Sequence, residues 1–474
     1  MKRRIIYLLL LIFFTSVGYA KIQLPEIISD HMVLQQNTNV KLWGKAKANS
    51  TVTIRTSWNS QKYSTRSNSD GNWVIMIPTP KANYTPQQIT FSDGEKTTIN
   101  NILIGEVWFC AGQSNMEMPL NGFNNCPVMN ANEDIANAGQ YKGVRCATVS
   151  RAGTMTPQTE AKGKWQESTP ENAPNFSAAA FHFATSLNKV LDVPVGIICC
   201  SWGGSTVEGW LPKEILQNYP DIDLSEEGFE KTKNRTYMRP MIMYNGMLKP
   251  MQNYTIKGFL WYQGEANVNR HQTYAQRLAT MVELWRKEWG LGEIPFYQVE
   301  IAPYRYGNPQ ATPAAYLREA QFKSQSLIPN SGMISTNDLV EPYEYANVHP
   351  KNKTVVGKRL CYMALVNTYH IKGICDRGPS YRSMETKDGK AILSFDHAEG
   401  FNRLDKMTGF EIAGADKVFH PAEAKVYGQR QVIVSNDTVS NPVAVRYCFR
   451  NFQLGNVCNQ RELPLIPFRT DDWE

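Results

Sequence analysis

The chain has 474 residues, more than the roughly 250 to 300 at which a single core usually stops growing, so two or three domains are expected. Apolar residues make up 42% of it and no low-complexity run is present, which excludes a disordered or fibrous protein. The formal net charge is +7 and the basic residues form no blocks, so the sequence does not indicate nucleic acid as a partner.

Residues 1–20 have the three regions of a secretory signal peptide. Lys2, Arg3 and Arg4 carry positive charge, an apolar run extends to Phe14, and the segment closes on Ala20. The apolar run is well short of the ~20 residues that span a bilayer, and no later segment is long enough. We therefore predict cleavage after Ala20, export to the periplasm or the medium, and no membrane insertion of the mature chain.

The nine cysteines of the chain form no metal-binding CxxC pair. An exported chain permits disulfides, and Cys361 with Cys375 and Cys448 with Cys458 are candidate local pairs. Buried free thiols are the alternative.

Short runs of alternating apolar and polar residues follow from residue 21 to residue 102. Residues 40–43 and 51–55 are examples, and turn residues such as Asp70 and Gly71 separate the runs. This spacing is typical of antiparallel strands, and it predicts an N-terminal β-sandwich domain over residues 21–102.

Continuous apolar runs that end in glycine-rich or polar turns replace this pattern after residue 102, and segments with helical spacing lie between them. The runs are residues 106–110, 195–200, 259–262, 296–301 and 333–336. Such runs suit strands buried on both faces of a parallel sheet, and we predict an α/β domain over residues 103–377. Ligands of such sheets bind beyond the carboxyl ends of the strands, so the turns should converge on one crevice. The alternating pattern returns in a C-terminal β region, residues 378–474.

Ser114 is the candidate nucleophile. It stands in the turn Gly112-Gln113-Ser114 directly after a buried run, which predicts a hydroxyl at the carboxyl end of a strand and at the start of a helix. A serine hydroxyl needs a neighbouring base to take its proton, and the serine's own N–H at a helix start can bind an oxyanion. A serine that only caps a helix is the alternative.

His349 is the best candidate for that base among the seven histidines. It follows residues 333–336 after a polar loop, and Pro350 behind it is well placed as the first residue of a helix. This order predicts that His349 lies at the same edge of the sheet as Ser114. A helix cap or a solvent-facing histidine is the alternative.

Four sequence blocks together resemble the sialate O-acetylesterase family of SGNH hydrolases. The blocks are GEVWFCAGQSNM at residues 105–116, SWGGS at 201–205, WYQGEAN at 261–267, and VHP at 348–350. The resemblance extends from the N-terminal β region to Asp471. It implies an SGNH-like three-layer α/β/α domain flanked by β-sandwich regions, with Ser114 as nucleophile and His349 as general base.

The resemblance also implies an oxyanion hole with three hydrogen-bond donors. They are the backbone N–H of Ser114, the N–H of Gly204, and the amide side chain of Gln263 or Asn267, of which Gln263 is preferred. Glycine at position 204 permits a close approach of the backbone to the substrate.

The third member of the catalytic triad departs from the family's pattern. Many relatives carry Asp two residues before the histidine, and here that position is Asn347, which cannot stabilise an imidazolium by charge. Three explanations stay open. Asp338 supplies the carboxylate, Glu265 supplies it, or a Ser–His dyad operates with a backbone carbonyl orienting the ring.

The function that the resemblance implies is hydrolysis of O-acetyl groups from carbohydrate, first of all O-acetylated sialic acid, through an acetyl-enzyme on Ser114. Acetylxylan or another plant glycan as the substrate, and a non-catalytic sugar-binding protein, are the alternatives. The Ser and His blocks disfavour a glycosidase that would pair Glu265 with Glu300. Neither metal-ligand spacing nor a phosphate loop is found, so no metal or cofactor is predicted.

A sialic acid carries a carboxylate, and an arginine near the serine would favour it as the substrate. The sequence offers Arg270, Arg305 and Arg318 without showing which of them lies at the site.

Overall fold

The computed structural model describes residues 21–473, and the predicted signal peptide, residues 1–20, lies outside the described residues. The strands are β1 (Val33–Gln35), β2 (Asn39–Lys45), β3 (Thr51–Thr56), β4 (Lys62–Arg66), β5 (Asn72–Pro78), β6 (Asn83–Ser92), β7 (Lys96–Gly112), β8 (Val144–Thr148), β9 (Trp165–Glu167), β10 (Val195–Ser201), β11 (Gly258–Tyr262), β12 (Phe296–Val299), β13 (Ser331–Ile334), β14 (Ser380–Lys387), β15 (Lys390–Asp396), β16 (Phe410–Ala413), β17 (His420–Pro421), β18 (Glu423–Val426), β19 (Gln431–Ser435), β20 (Ala444–Tyr447) and β21 (Phe468–Arg469). The α-helices are α1 (Ser114–Glu117), α2 (Ala131–Asn137), α3 (Ala178–Leu191), α4 (Lys213–Leu216), α5 (Glu226–Lys231), α6 (His271–Trp289), α7 (Pro313–Ser324) and α8 (Lys353–Asn367). Within residues 21–473, no helix is long and apolar enough to cross a bilayer.

A parallel sheet with helices on both faces forms the centre of the molecule. Its strand order is β13-β12-β11-β7-β10-β8, and β9 adds to the edge in antiparallel orientation. Helices α3 and α8 pack together against one face, while α6 and α7 cover the other. The predicted three-layer α/β/α fold is confirmed. All five apolar runs named above became strands of this sheet, whereas β8 and β9 were not predicted.

Strand β7 joins the N-terminal β region to the central sheet. Its first half pairs antiparallel with β6, and from Glu106 to Gly112 it lies between β10 and β11. The boundary expected between residues 102 and 103 therefore falls inside one continuous strand. The two regions also share a hydrophobic core, in which Trp43 of β2 meets the ring of Tyr254 edge to face at 6.3 Å. Both features fix the position of the strand end that precedes Ser114.

The C-terminal region forms two four-stranded antiparallel sheets, β14-β15-β19-β18 and β17-β16-β20-β21, around a core of its own. It packs against α7 of the central domain. The side chain of Asn451 accepts a hydrogen bond from the N–H of Ala314 in the first turn of that helix, at 2.9 Å. Arg469 forms an ion pair with Glu319 of the same helix, at 3.0 Å.

The start of α8 differs from the sequence prediction. Pro350 does not begin the helix, which starts at Lys353 with Asn352 as its N-cap. The Asn352 side chain accepts a hydrogen bond from the N–H of Val355 at 3.2 Å. It thereby pairs one of the free N–H groups at the helix start, which a proline side chain cannot do because it has no acceptor atom. The loop that carries His349 is consequently longer than expected.

The two candidate disulfides are wrong, because all nine cysteines are free. Cys361 is buried in the core between α3 and α8, and Cys448 is buried in the C-terminal core. Their expected partners, Cys375 and Cys458, are only partly buried.

Candidate active site

Ser114 stands where β7 ends and α1 begins. Gly112 has φ +141°, and a Cβ at that position would lie 2.2 Å from the carbonyl oxygen of Tyr262 on the neighbouring strand. Only glycine permits this close approach, after which the chain turns and starts the helix at Ser114. Among the described residues, the N–H of Ser114 has no hydrogen-bond acceptor. It is therefore available to an oxyanion.

The turn after β10 lies directly against this serine. A Cβ on Gly203 would be 3.3 Å from the Cβ of Ser114. Gly204 has φ +77°, and a Cβ there would stand 2.7 Å from the ring of Tyr237, so a larger residue does not fit. The N–H of Gly204 likewise finds no acceptor in the described part of the chain. Two N–H groups without an acceptor among the described residues, those of Ser114 and Gly204, thus stand in two turns that lie against each other.

Asn115 brings the histidine loop to the serine. Its side-chain N–H donates to the carbonyl oxygen of Val348 at 3.0 Å, so the residue after Ser114 contacts the residue before His349. The His349 ring packs edge to face on Phe123, with ring centres 5.1 Å apart. Its Nε2 atom is buried and has no hydrogen-bond partner within residues 21–473. The structure therefore brings Ser114, Gly204 and His349 together.

Asn347 holds the backbone of His349 rather than its ring. The Asn347 side chain accepts a hydrogen bond from the N–H of His349 at 2.9 Å and donates one to the His349 carbonyl oxygen at 2.8 Å. The amide fits this role because it offers both a donor and an acceptor, which an ionised aspartate does not.

Neither candidate carboxylate is hydrogen-bonded to His349. Both oxygens of Asp338 accept from the guanidinium of Arg359, at 2.7 and 2.5 Å. Arg359 is buried and needs a counter-charge, which commits Asp338 to it instead of to the histidine. Glu265 accepts a hydrogen bond from the Asn115 side chain at 2.6 Å through Oε1, and burial raises its pKa.

The amides of Gln263 and Asn267 also face the interior. Both side chains are almost completely buried. The Gln263 amide nitrogen donates to Asn267 at 2.7 Å, to the carbonyl oxygen of Ser205 at 3.0 Å and to the Gln113 side chain at 3.2 Å. Asn267 in turn donates to Glu208 at 3.0 Å. The N–H groups of both amides already donate to neighbouring residues. Neither amide therefore has a free N–H group for the direct contact with an oxyanion that the sequence predicted.

Lys353 is a site residue that the sequence reading missed. It is completely buried, and its Nζ donates to the Asn115 side-chain oxygen at 2.6 Å. Burial lowers its pKa to about 7. Burial and the Lys353 charge lower the pKa of His349 to about 4. The available signal was position, because Lys353 follows His349 by four residues and begins α8.

Glu117 and Arg151 were also missed. One oxygen of Glu117 accepts a hydrogen bond from the N–H of Gly203 at 2.8 Å, and the other accepts from Nε of Arg151 at 2.6 Å. The Arg151 side chain is 53% exposed. Glu117 is the last residue of the short helix that Ser114 begins. The GQSNM block therefore predicted the position of Glu117 near the site, but not its hydrogen-bond partners.

Comparison with known protein families identifies the family of the chain. Residues 104–365 match the family described as carbohydrate esterase, sialic acid-specific acetylesterase, over more than half of the chain. The chain belongs to this family. It is a carbohydrate esterase that hydrolyses O-acetyl groups, as the four sequence blocks implied.

Individual relatives agree over nearly the whole chain. The sialate O-acetylesterase of Mus musculus is 25% identical over 483 residues, covering 89% of this chain and 88% of the relative. The sialate O-acetylesterase of Homo sapiens is 24% identical, covering 92% of this chain and 88% of the relative. The crystal structure of a carbohydrate acetylesterase from Xanthomonas citri is 31% identical, with a TM-score of 0.85, and covers 95% of this chain and 100% of that chain.

The depressed pKa of His349 gives a testable pH dependence. A general base accepts a proton only when it is neutral, so kcat/KM for a neutral acetyl ester should stay level from about pH 7 to about pH 5 and fall near pH 4. Replacing Lys353 by Met removes a nearby positive charge and should move this fall to higher pH. Lys358→Met, on an exposed position of the same helix, is the control. A wild-type fall near pH 6.5, the ordinary value for histidine, contradicts the prediction.

Proposed function

We propose that Ser114 attacks the acetyl carbonyl of an O-acetylated sugar while His349 accepts the serine proton. The observation that carries this proposal is the pair of unpaired N–H groups, of Ser114 and Gly204, beside a serine whose neighbour contacts the histidine loop. Donors that are already in place where negative charge develops stabilise a tetrahedral intermediate without reorganisation. Removing one such donor costs about 3 kcal/mol of transition-state stabilisation.

The reaction then follows in two steps. The Ser114 hydroxyl oxygen bonds to the acetyl carbon, and the resulting oxyanion is bound by the N–H groups of Ser114 and Gly204. His349 passes the proton to the leaving sugar oxygen, which leaves an acetyl-enzyme on Ser114. Water, deprotonated by His349, attacks this ester, and acetate departs as the proton returns to the Ser114 oxygen.

Gln263 serves this oxyanion hole indirectly in our proposal. Its amide donates to the side chain of Gln113 and to the carbonyl oxygen of Ser205. These two residues directly precede Ser114 and directly follow Gly204. Gln263 therefore positions both backbone donors, and Asn267 holds Gln263 in turn through a 2.7 Å hydrogen bond.

A Ser–His dyad is the catalytic arrangement that the contacts support best. Asp338 is committed to Arg359, and Glu265 binds Asn115. Packing on Phe123 and the two backbone hydrogen bonds from Asn347 hold the histidine without a carboxylate. Loss of the acid is the least damaging single loss in the subtilisin triad, so a dyad is chemically sufficient.

O-acetylated sialic acid is the substrate that we propose. The family description and the mammalian sialate O-acetylesterases support it. Acetylxylan or another acetylated plant glycan is the competing substrate, because an acetyl pocket contacts little of the sugar beyond the ester.

Export is a further part of the proposal. It rests on the charged, apolar and small-residue regions of residues 1–20. A carbohydrate rather than a nucleic acid is the expected partner outside the cytoplasm.

Acetate release tests the proposed chemistry. Residues 21–474 should release acetate from O-acetylated sialic acid faster than from acetylated xylan. Ser114→Ala should lose at least about 10³-fold in kcat on both, since no other group replaces the nucleophile. Ser440→Ala, on an exposed loop position of the C-terminal region, is a matched control that should keep its rate. A Ser114→Ala enzyme that retains activity sinks the mechanism, and preference for xylan overturns the substrate.

Variants of Asp338 and His349 test the dyad. Asp338→Asn should keep kcat within about 10-fold while lowering stability, because Arg359 then remains buried with a weakened partner. His349→Ala should lose about 10³-fold or more. Steady-state kinetics and thermal unfolding of the variants measure both effects. A loss of kcat in Asp338→Asn as large as that in His349→Ala would establish Asp338 as a triad member.

A further inference from the structure

We propose that Arg151 binds the carboxylate of the sialic acid and thereby sets the substrate preference of the esterase. This inference rests on the proposed function, because it assigns a binding residue to the carboxylate of the sugar that Ser114 deacetylates. None of the three arginines singled out from the sequence is Arg151.

A chain of short contacts places Arg151 beside the nucleophile. Its Nε donates to Glu117 at 2.6 Å, and the other Glu117 oxygen accepts from the N–H of Gly203 at 2.8 Å. Gly203 is in van der Waals reach of Ser114. One carboxylate therefore separates the guanidinium from the backbone that lines the serine.

The part of Arg151 that binds carboxylates remains available. Glu117 accepts a hydrogen bond from Nε, and within residues 21–473 neither terminal nitrogen makes a hydrogen bond. The side chain is 53% exposed. The two terminal NH₂ groups form a planar fork that matches the two oxygens of a carboxylate. Glu117 bonds the guanidinium through Nε alone, at its side and not at the fork of terminal nitrogens.

The loop that carries Arg151 is held on both sides. The N–H of Ser150 donates to the carbonyl oxygen of Lys162 at 2.8 Å. Gly153 lies against the ring of Trp202, where an added Cβ would come within 3.3 Å of a ring carbon. Trp202 is bonded to the end of β7, since its backbone N–H donates to the Gly112 carbonyl oxygen at 3.1 Å. A guanidinium on a fixed loop loses little freedom when it binds an anion.

The arginines expected from the sequence have other partners. Arg318 is buried and donates to the carbonyl oxygens of Cys448 and Arg450. Arg270 lies 3.7 Å from Glu208, and Arg305 lies over the ring of Tyr345. None of these three reaches Ser114 or Gly203 through a single intervening side chain, as Arg151 does through Glu117.

Two substrates, one with a charged and one with a neutral carboxyl group, test the inference. They are an O-acetylated N-acetylneuraminic acid and its carboxyl methyl ester. Arg151→Gln should lower kcat/KM for the acid roughly 10- to 100-fold, mainly through KM, the range expected for a lost charge-assisted hydrogen bond. The same variant should change kcat/KM for the methyl ester less than about 3-fold, and Arg151→Lys should fall between the two on the acid.

Arg382→Gln is the matched control, because Arg382 is also exposed and pairs with a carboxylate, Asp396, but on the C-terminal sheet. It should leave both substrates unaffected. Equal losses on acid and ester in Arg151→Gln, or no loss on the acid, overturn the assignment while the esterase mechanism stands. Absence of acetate release from both substrates by the wild-type enzyme contradicts the proposed function instead.

Discussion

The buried side chain of Asn115 is the contact on which the site depends. Its N–H groups donate to Glu265 and to the carbonyl oxygen of Val348, and its oxygen accepts from Lys353. Three segments that are distant in sequence thereby meet behind one short helix turn. A buried amide with unsatisfied groups is costly, so these hydrogen bonds require the strand ends and the histidine loop to adopt this one arrangement. Ser114 directly precedes Asn115, and His349 directly follows Val348, so these hydrogen bonds also position the nucleophile and the base.

The electrostatics of the site follow from the same burial. A completely buried lysine lies close to the histidine, and desolvation together with that charge depresses the pKa of His349. The base consequently stays neutral over most of the ordinary pH range. Glu265, across Asn115 from the lysine, has a pKa raised by burial. One buried cation and one buried acid therefore lie on either side of the Asn115 amide.

Sequence patterns predicted the fold where a single physical signal dominated. The apolar runs that became β7 and β10 to β13 are buried on both faces, so hydrophobicity alone identified them. Weaker signals failed at β8 and β9, which are short and lie at the sheet's edge. The start of α8 was misplaced because Pro350 was expected to be its first residue, whereas Asn352 caps the helix and Lys353 begins it.

For the candidate site too, the sequence predicted some features and not others. Ser114, Gly204 and His349 stand in turns whose positions follow from strand order, and the structure brings them together. Partner choice could not be read from the sequence, since it depends on which charges meet after folding. Asp338 binds Arg359, and the Gln263 amide donates to the backbone of Ser205. Arg151 binds Glu117, which links it to the turn beside the serine.

Labelling with an alkyl fluorophosphonate tests the central claim most directly. Only a serine activated by a neighbouring base displaces fluoride from phosphorus, so the reagent reports the Ser114–His349 pair without any choice of sugar. We expect one adduct on the peptide that contains Ser114, lost in His349→Ala and kept in Asp338→Asn. An active wild-type enzyme with no adduct, or with its adduct on another residue, would contradict the account.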